Sequence, residues 1–177
     1  MNKTGLVHIY TGEGKGKTTA AVGLGVRACG SGLKVLLVQF LKSAATGELE
    51  AIKRLEPDFK VIRGFTCKKF SWDMTGEELE HTAREAAEMF EQVRAVVQTG
   101  QYELVILDEI LGTVSLDFLP LETVLDFVKN KPEKVELVMT GRNAHKALVE
   151  AADYVSEIKA VKHPYEKGIA ARKGIEY

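Results

Sequence analysis

The sequence predicts an α/β fold of three layers, with a doubly wound, mainly parallel sheet as the middle layer. Three observations predict it. Strand-length apolar runs recur along the chain and are nearly continuous rather than alternating, which means burial on both faces, as in a parallel sheet. Longer segments of helical period separate those runs. A glycine-rich loop joins the first apolar run to the first helical segment. The 177 residues suit one domain, 1–177, with a real core. No repeat, low-complexity tract or linker divides it.

Taken in order, LVHIY (Leu6 to Tyr10) is the first strand and KTTAAVGLGVRACG, ending near Gly30 and Gly32, the first helix. KVLLVQF (Lys34 to Phe40), rich in branched residues, is the second strand, and KSAATG (Lys42 to Gly47) after it reads as a mobile loop. FKVIR (Phe59 to Arg63) is a weaker strand. The clearest helix runs from Thr75 to Gly100: Thr75 and Glu78 make a capping-box pattern. Its Leu79, Ala83, Ala86, Phe90, Val93 and Val97 form one apolar stripe. ELVILDE (Glu103 to Glu109) and VELVMTG (Val135 to Gly141) are further strands, with PLETVLDFVKN as a helix between them that carries proline where the first turn tolerates it. NAHKALVEAA is a shorter helix, and YVSEIKAV (Tyr154 to Val161) reads as an edge strand. Crossovers of one hand complete a doubly wound sheet.

Composition narrows the function. With 45% hydrophobic and 28% charged residues the chain is neither disordered nor fibrous. A net charge of −1 and the lack of a basic block give no sign of nucleic acid. No apolar run reaches the roughly 20 residues of a membrane helix, and no signal-peptide core precedes the first glycine turn. Cys29 and Cys67 are too few and too scattered for a disulfide framework or zinc knot. They read as small buried hydrophobes in a reducing compartment, so a cytoplasmic protein is expected.

Between the first strand and helix stands Thr11-Gly12-Glu13-Gly14-Lys15-Gly16-Lys17-Thr18-Thr19. In a loop of this kind backbone N–H groups turn inward around phosphate oxygens, and the helix N-terminus adds partial positive charge. Lys17 can neutralise a phosphate, Thr18 can hold Mg²⁺, and Thr19 can reach another phosphate oxygen. A lysine at a helix start opposes the dipole unless an anion is bound. The strict G-x-x-x-x-G-K-[ST] pattern wants glycine at position 11, where Thr11 stands, so the triphosphate need not lie as in a kinase or GTPase. About 90 residues on, LVILDE delivers Asp108 and Glu109 from a buried strand, as expected of a metal-binding acid beside a phosphate loop. Glu109 suits either a hydrolytic base or a metal ligand, direct or through water. Gln39, Lys42 and Arg142 leave their strands at the same edge, where an open sheet binds its ligands.

The chain resembles the P-loop type ATP:corrinoid adenosyltransferases. The matching pieces cover nearly all of it: TGEGKGKTTAA, VLLVQFLK, FSWDM, LVILDEI, LPLETVLDFV, VMTGRNAH and VKHPYEKGIAARKGIEY. Threonine before the alternating glycines is typical of that family. The resemblance implies that a cobalt(I) corrinoid attacks the 5′ carbon of ATP and that triphosphate leaves, toward adenosylcobalamin. It implies ATP as co-substrate, Mg²⁺ (or Mn²⁺) on Thr18, Asp108 and Glu109, and catalytic roles for Lys17 and Glu109. The nucleotide would contact residues 11–19 and Arg142. The corrinoid would meet Phe70, Trp72, Gln39 and Lys42. The two rings, taken as alternating in an extended segment, would face one way and displace the lower axial ligand of cobalt. Family wording here is more often GFTW. A GFT occurs in this chain at Gly64 to Thr66, which makes Phe65 the next candidate.

The resemblance also implies an electron donor such as a flavoprotein, and a homodimer. Many members carry an N-terminal extension that forms a helix over the site, whereas only Met1 to Gly5 precede the first strand here. The rival readings are a P-loop ATPase or small-molecule kinase, which would release ADP, and a non-enzymatic nucleotide-gated module. His163 is read as a turn residue rather than a cobalt ligand, His8 as core, and His81 and His145 as helix residues without a partner pattern. The basic tail KGIAARKG is either a solvated face or a reach toward phosphate or corrinoid carboxamides.

Overall fold

A computed structural model describes residues 4–66, 69 and 71–177. Six strands form one sheet: β1 (Val7–Thr11), β2 (Val35–Gln39), β3 (Phe59–Arg63), β4 (Leu104–Asp108), β5 (Glu136–Thr140) and β6 (Tyr154–Glu157). Their spatial order is β3-β2-β4-β5-β1-β6, and all five neighbouring pairs are parallel.

The helices are α1 (Lys17–Gly30), α2 (Gly47–Lys53), α3 (Gly76–Gln98), α4 (Ile110–Ser115), α5 (Leu121–Asn130) and α6 (Lys146–Ala151). Side chains of α1 and α2 pack with Val35, Leu37, Leu104, Ile106 and Val138 on one face. Those of α3 to α6 pack with Leu36, Val38, Val105, Leu107, Leu137 and Met139 on the other. Alternate residues of a strand point to opposite faces, so burying both faces requires the uninterrupted apolar runs of the sequence. The helices change face where the chain reverses direction across the sheet, after β3, so all the crossovers keep one hand.

Several local expectations hold and some are corrected. The Thr75/Glu78 capping box forms in full. Ala86, Phe90, Val93 and Val97 are buried on α3, joined by Thr82 and Met89, while Leu79 and Ala83 are partly buried against the same core. Gly32 takes φ 82 beyond Ser31, as a C-terminal stop requires. The last strand is shorter than its apolar run, and β6 is exposed along its length. Gly47, read as loop, begins α2, and α4 follows Glu109 directly. α2 opens on a glycine directly after the loop, and α4, ILGTVS, holds a glycine and β-branched residues, so neither stands out as a helix in the sequence. His8 is not core: it bonds Glu136 and stacks on Tyr154 at 4.6 Å. Cys29 is a partly buried free thiol, and Cys67 lies outside the described residues.

Candidate active site at the carboxyl edge of the sheet

The site forms where the chain reverses across the sheet, at the carboxyl ends of β1, β2, β4 and β5. Thr11 ends β1 in register with Glu157, and its carbonyl accepts from the Ile158 N–H. The turn falls to Gly12, at φ 102. A Cβ on Gly14 would stand 2.8 Å from the Ile158 carbonyl oxygen and the Lys159 backbone, and the Gly14 N–H bonds that same oxygen. Gly12 and Gly14 thus let the loop lie flat against the segment after β6.

Lys17, 8% exposed, donates to the carbonyls of Gly12 (2.6 Å) and Gly14 (2.9 Å). Burial lowers its pKa. Lys15 meets Glu176 at 3.3 Å, and Arg142 meets Glu13 at 3.1 Å. A cavity of about 510 Å³ opens over the loop, lined by residues 13–19 together with Lys42, Glu109, Arg142 and the tail from Gly174 to Tyr177. Thr11 and Gly12 shape the loop from behind and do not line that cavity. His163 lines it, and its Nδ1 accepts from the Tyr165 N–H as a turn cap.

Asp108 is fully buried and receives four donors. Thr18 Oγ1 (2.8 Å) and Thr140 Oγ1 (2.6 Å) donate to its Oδ1. Lys42 Nζ (2.6 Å) and Gln39 Nε2 (3.3 Å) donate to its Oδ2. Lys42 Nζ also donates to Thr18 Oγ1 at 3.0 Å. Gln39 is fully buried, and its Oε1 has no hydrogen-bond partner among the described residues. Glu109 takes φ 62, a left-handed turn that aims its carboxylate out of the strand line, while its N–H bonds Thr140 Oγ1 at 3.0 Å. Burial raises its pKa, and repulsion from Asp108 adds to the rise. Thr140, which clamps both acids, was not singled out in the sequence because a threonine ending an apolar strand carries no signal by itself.

The donor set fits Mg²⁺. Thr18 and Asp108 offer hard oxygens 2.8 Å apart, close to the edge of an octahedron with bonds of about 2.1 Å. The unpartnered Gln39 Oε1 supplies a further buried acceptor beside them.

A second cavity, about 590 Å³, adjoins the first and is lined by Leu41, Phe65, Trp72, Met74, Leu116 and Phe118 among others. Lys42, Glu109 and Arg142 line both cavities. Phe65 is buried, with its ring 6.1 Å from that of Phe40. Trp72 is 77% exposed. It sits in a 3-10 turn, Ser71–Asp73, rather than in an extended segment, so the strand alternation invoked for the two rings does not apply to it. Phe70 lies outside the described residues. Gln39 does not line this cavity.

A phosphate loop, a threonine and an acid bonded across two strands, and an adjoining apolar chamber define the class: a P-loop nucleotide enzyme with room for a second substrate. The chain belongs to the ATP:corrinoid adenosyltransferase BtuR/CobO/CobP family, whose model matches residues 3–177. It is 35% identical over 178 residues to the corrinoid adenosyltransferase of Escherichia coli strain K12, covering 100% of this chain and 88% of that protein. Its identity is 34% to the corrinoid adenosyltransferase CobA of Salmonella typhimurium, with coverage of 100% and 88%. It is 36% identical to a corrinoid adenosyltransferase of a Sinorhizobium species, with coverage of 99% and 82%. The protein is accordingly a transferase that moves the adenosyl group of ATP to the cobalt of a corrinoid.

Proposed function

We propose that the loop cavity takes the triphosphate of MgATP and the apolar cavity takes the reduced corrinoid. One observation carries the reading: Lys42, Glu109 and Arg142 line both cavities, so a nucleotide in one adjoins a flat apolar molecule in the other. Cobalt(I) gives its electron pair to the 5′ carbon, the C5′–O bond breaks, and that pair leaves on triphosphate. Cobalt(I) is already a strong nucleophile, so the chain needs no activated serine or cysteine. Its work is orientation and neutralisation of the leaving group.

Lys17 exchanges the carbonyls of Gly12 and Gly14 for phosphate oxygens. Lys15 and Arg142 exchange Glu176 and Glu13 in the same way, and Thr19 and the amides of residues 13–18 complete the grip. Thr18 and Asp108 hold Mg²⁺, with Glu109 bound directly or through water; Mn²⁺ suits the same oxygens. The ion supplies charge neutralisation on the triphosphate. Gln39, buried against Asp108, belongs with the metal side. Trp72 and Phe65 wall the corrinoid and keep a lower ligand off cobalt. An external one-electron donor such as a flavoprotein delivers cobalt(I). The active form is a cytoplasmic homodimer.

The test is to incubate the protein with ATP and chemically reduced corrinoid. Inorganic triphosphate and a cobalt–carbon bond are expected. Release of ADP and phosphate without corrinoid would overturn the reading in favour of an ATPase.

A further inference from the structure

The Lys42 ammonium bonds the same two side chains, Thr18 and Asp108, that the metal reading requires, with Nζ 3.0 Å from Thr18 Oγ1 and 2.6 Å from Asp108 Oδ2. Asp108 has no exposed surface, and its other donors, Thr18, Thr140 and Gln39, are all neutral. A buried carboxylate needs a compensating cation, and among the described residues Lys42 is the one that bonds it. A divalent ion bound to these oxygens would provide that compensation instead. The ion and Lys42 both need Thr18 Oγ1, and an ammonium on Asp108 Oδ2 would stand beside an ion held on the Oδ1 that faces Thr18, so like-charge repulsion favours one cation there at a time.

The lysine has somewhere to go. Its backbone is pinned: Arg63 Nη2 donates to the carbonyls of Lys42 (3.1 Å) and Ala44 (2.6 Å). Its side chain is 25% exposed and lines both cavities. Motion about the four-carbon stem alone would carry Nζ from Asp108 to the shared mouth, where Glu109 and Arg142 also stand.

We propose that Lys42 is a built-in substitute for the metal, holding Thr18 and Asp108 together and yielding its place when the divalent ion arrives with nucleotide. The inference rests on the metal reading of Thr18 and Asp108. Two consequences follow. Metal without nucleotide must displace an ammonium while gaining few ligands, so it binds weakly. Metal with nucleotide gains phosphate oxygens as well, so the two bind together, and the displaced ammonium is delivered to the junction of the two substrates.

The experiment follows free Mn²⁺ by electron paramagnetic resonance during titration of the nucleotide-free protein. Lys42→Met keeps most of the stem and removes the charge; Lys42→Gln is neutral but can still donate to Asp108; Lys42→Arg keeps the charge. Both neutral variants are expected to bind Mn²⁺ at least tenfold more tightly than the wild type, and Lys42→Arg no more tightly. Thermal melting should show a larger Mn²⁺-induced rise for the neutral variants, and a variant that folds only with Mn²⁺ present would support the substitution directly. Equal Mn²⁺ affinity in the wild type and the folded neutral variants, or the same gain in Lys42→Arg, overturns the proposal. Wild type and Asp108→Asn titrated with ATP present separate the two readings. If both bind Mn²⁺ alike, the metal assignment has failed, and the proposal with it. If Asp108→Asn loses the ion but the neutral lysine variants gain nothing, only the role of Lys42 has failed.

Discussion

A lysine that donates to two carbonyls of its own loop is held ready for a stronger acceptor. Charge-assisted hydrogen bonds contribute about 1.5–3 kcal/mol, so Lys17→Ala should slow turnover at least tenfold at saturating and at subsaturating ATP; wild-type rates at both would remove Lys17 from the reaction. Trp72, exposed at the edge of the second cavity, gives a sharper test. Trp72→Ala should lose activity mainly when cobalt(II) is the starting state, and less when cobalt(I) is supplied by a strong reductant, with ATP affinity unchanged. Equal losses in both assays would mean that the ring does not guard the lower face of cobalt. Lys15, Lys17 and Thr18, and separately Asp108 with Glu109, were legible in the sequence as candidates because each group is contiguous and its chemistry specific. Thr140 and the true neighbours of Gln39 and Lys42 were not, because contacts between strand ends far apart in sequence exist only once the sheet is formed.

Among the elements, α3 carries the strongest local signals, and it leads directly out of the turn that holds Trp72. Loss of an N-cap costs about 0.5–2 kcal/mol, so Thr75→Ala should lower the melting temperature by a few degrees while leaving turnover near wild type at 25 °C. A wild-type melting curve would show that the cap is idle. The tail is held differently. Glu176 accepts from the Arg172 side chain and backbone and from Lys15, which lowers its pKa to about 2. A depressed carboxyl pKa means that the contact is fully present above its ordinary value of 4.5 and is lost as pH falls through about 2. The Glu176 carboxyl, followed by nuclear magnetic resonance, should therefore titrate well below 4.5; an ordinary midpoint would mean that the tail does not hold this contact in solution. Long periodic elements were readable in advance. The six-residue α6 was readable too, in an alanine-rich stretch, whereas α2, α4 and the 3-10 turn, which open on or contain glycine or follow loop residues, were not.

Across the whole molecule, the parallel sheet was legible from apolar runs alone, but the strand order was not. That order sets β5 between the loop strand β1 and the acid strand β4, so Thr140, at the end of β5, spans the gap between them. Within the described residues, no helix is long and apolar enough to cross a membrane, in line with the absence of such a run in the sequence. The tail runs from β6 back over the loop cavity, and Lys162, Lys167, Arg172 and Lys173 on it are exposed. A segment that pairs at one residue with Lys15, to which the proposed function gives a phosphate, and offers trypsin these cutting sites just before it would serve as an occupancy gauge. When triphosphate draws Lys15 away from Glu176, that anchor is released, and MgATP should speed cleavage at Arg172 and Lys173 relative to cleavage elsewhere in the chain. Timed digestion read by mass spectrometry, with and without nucleotide, would follow the filling of this site in the intact protein with no label attached.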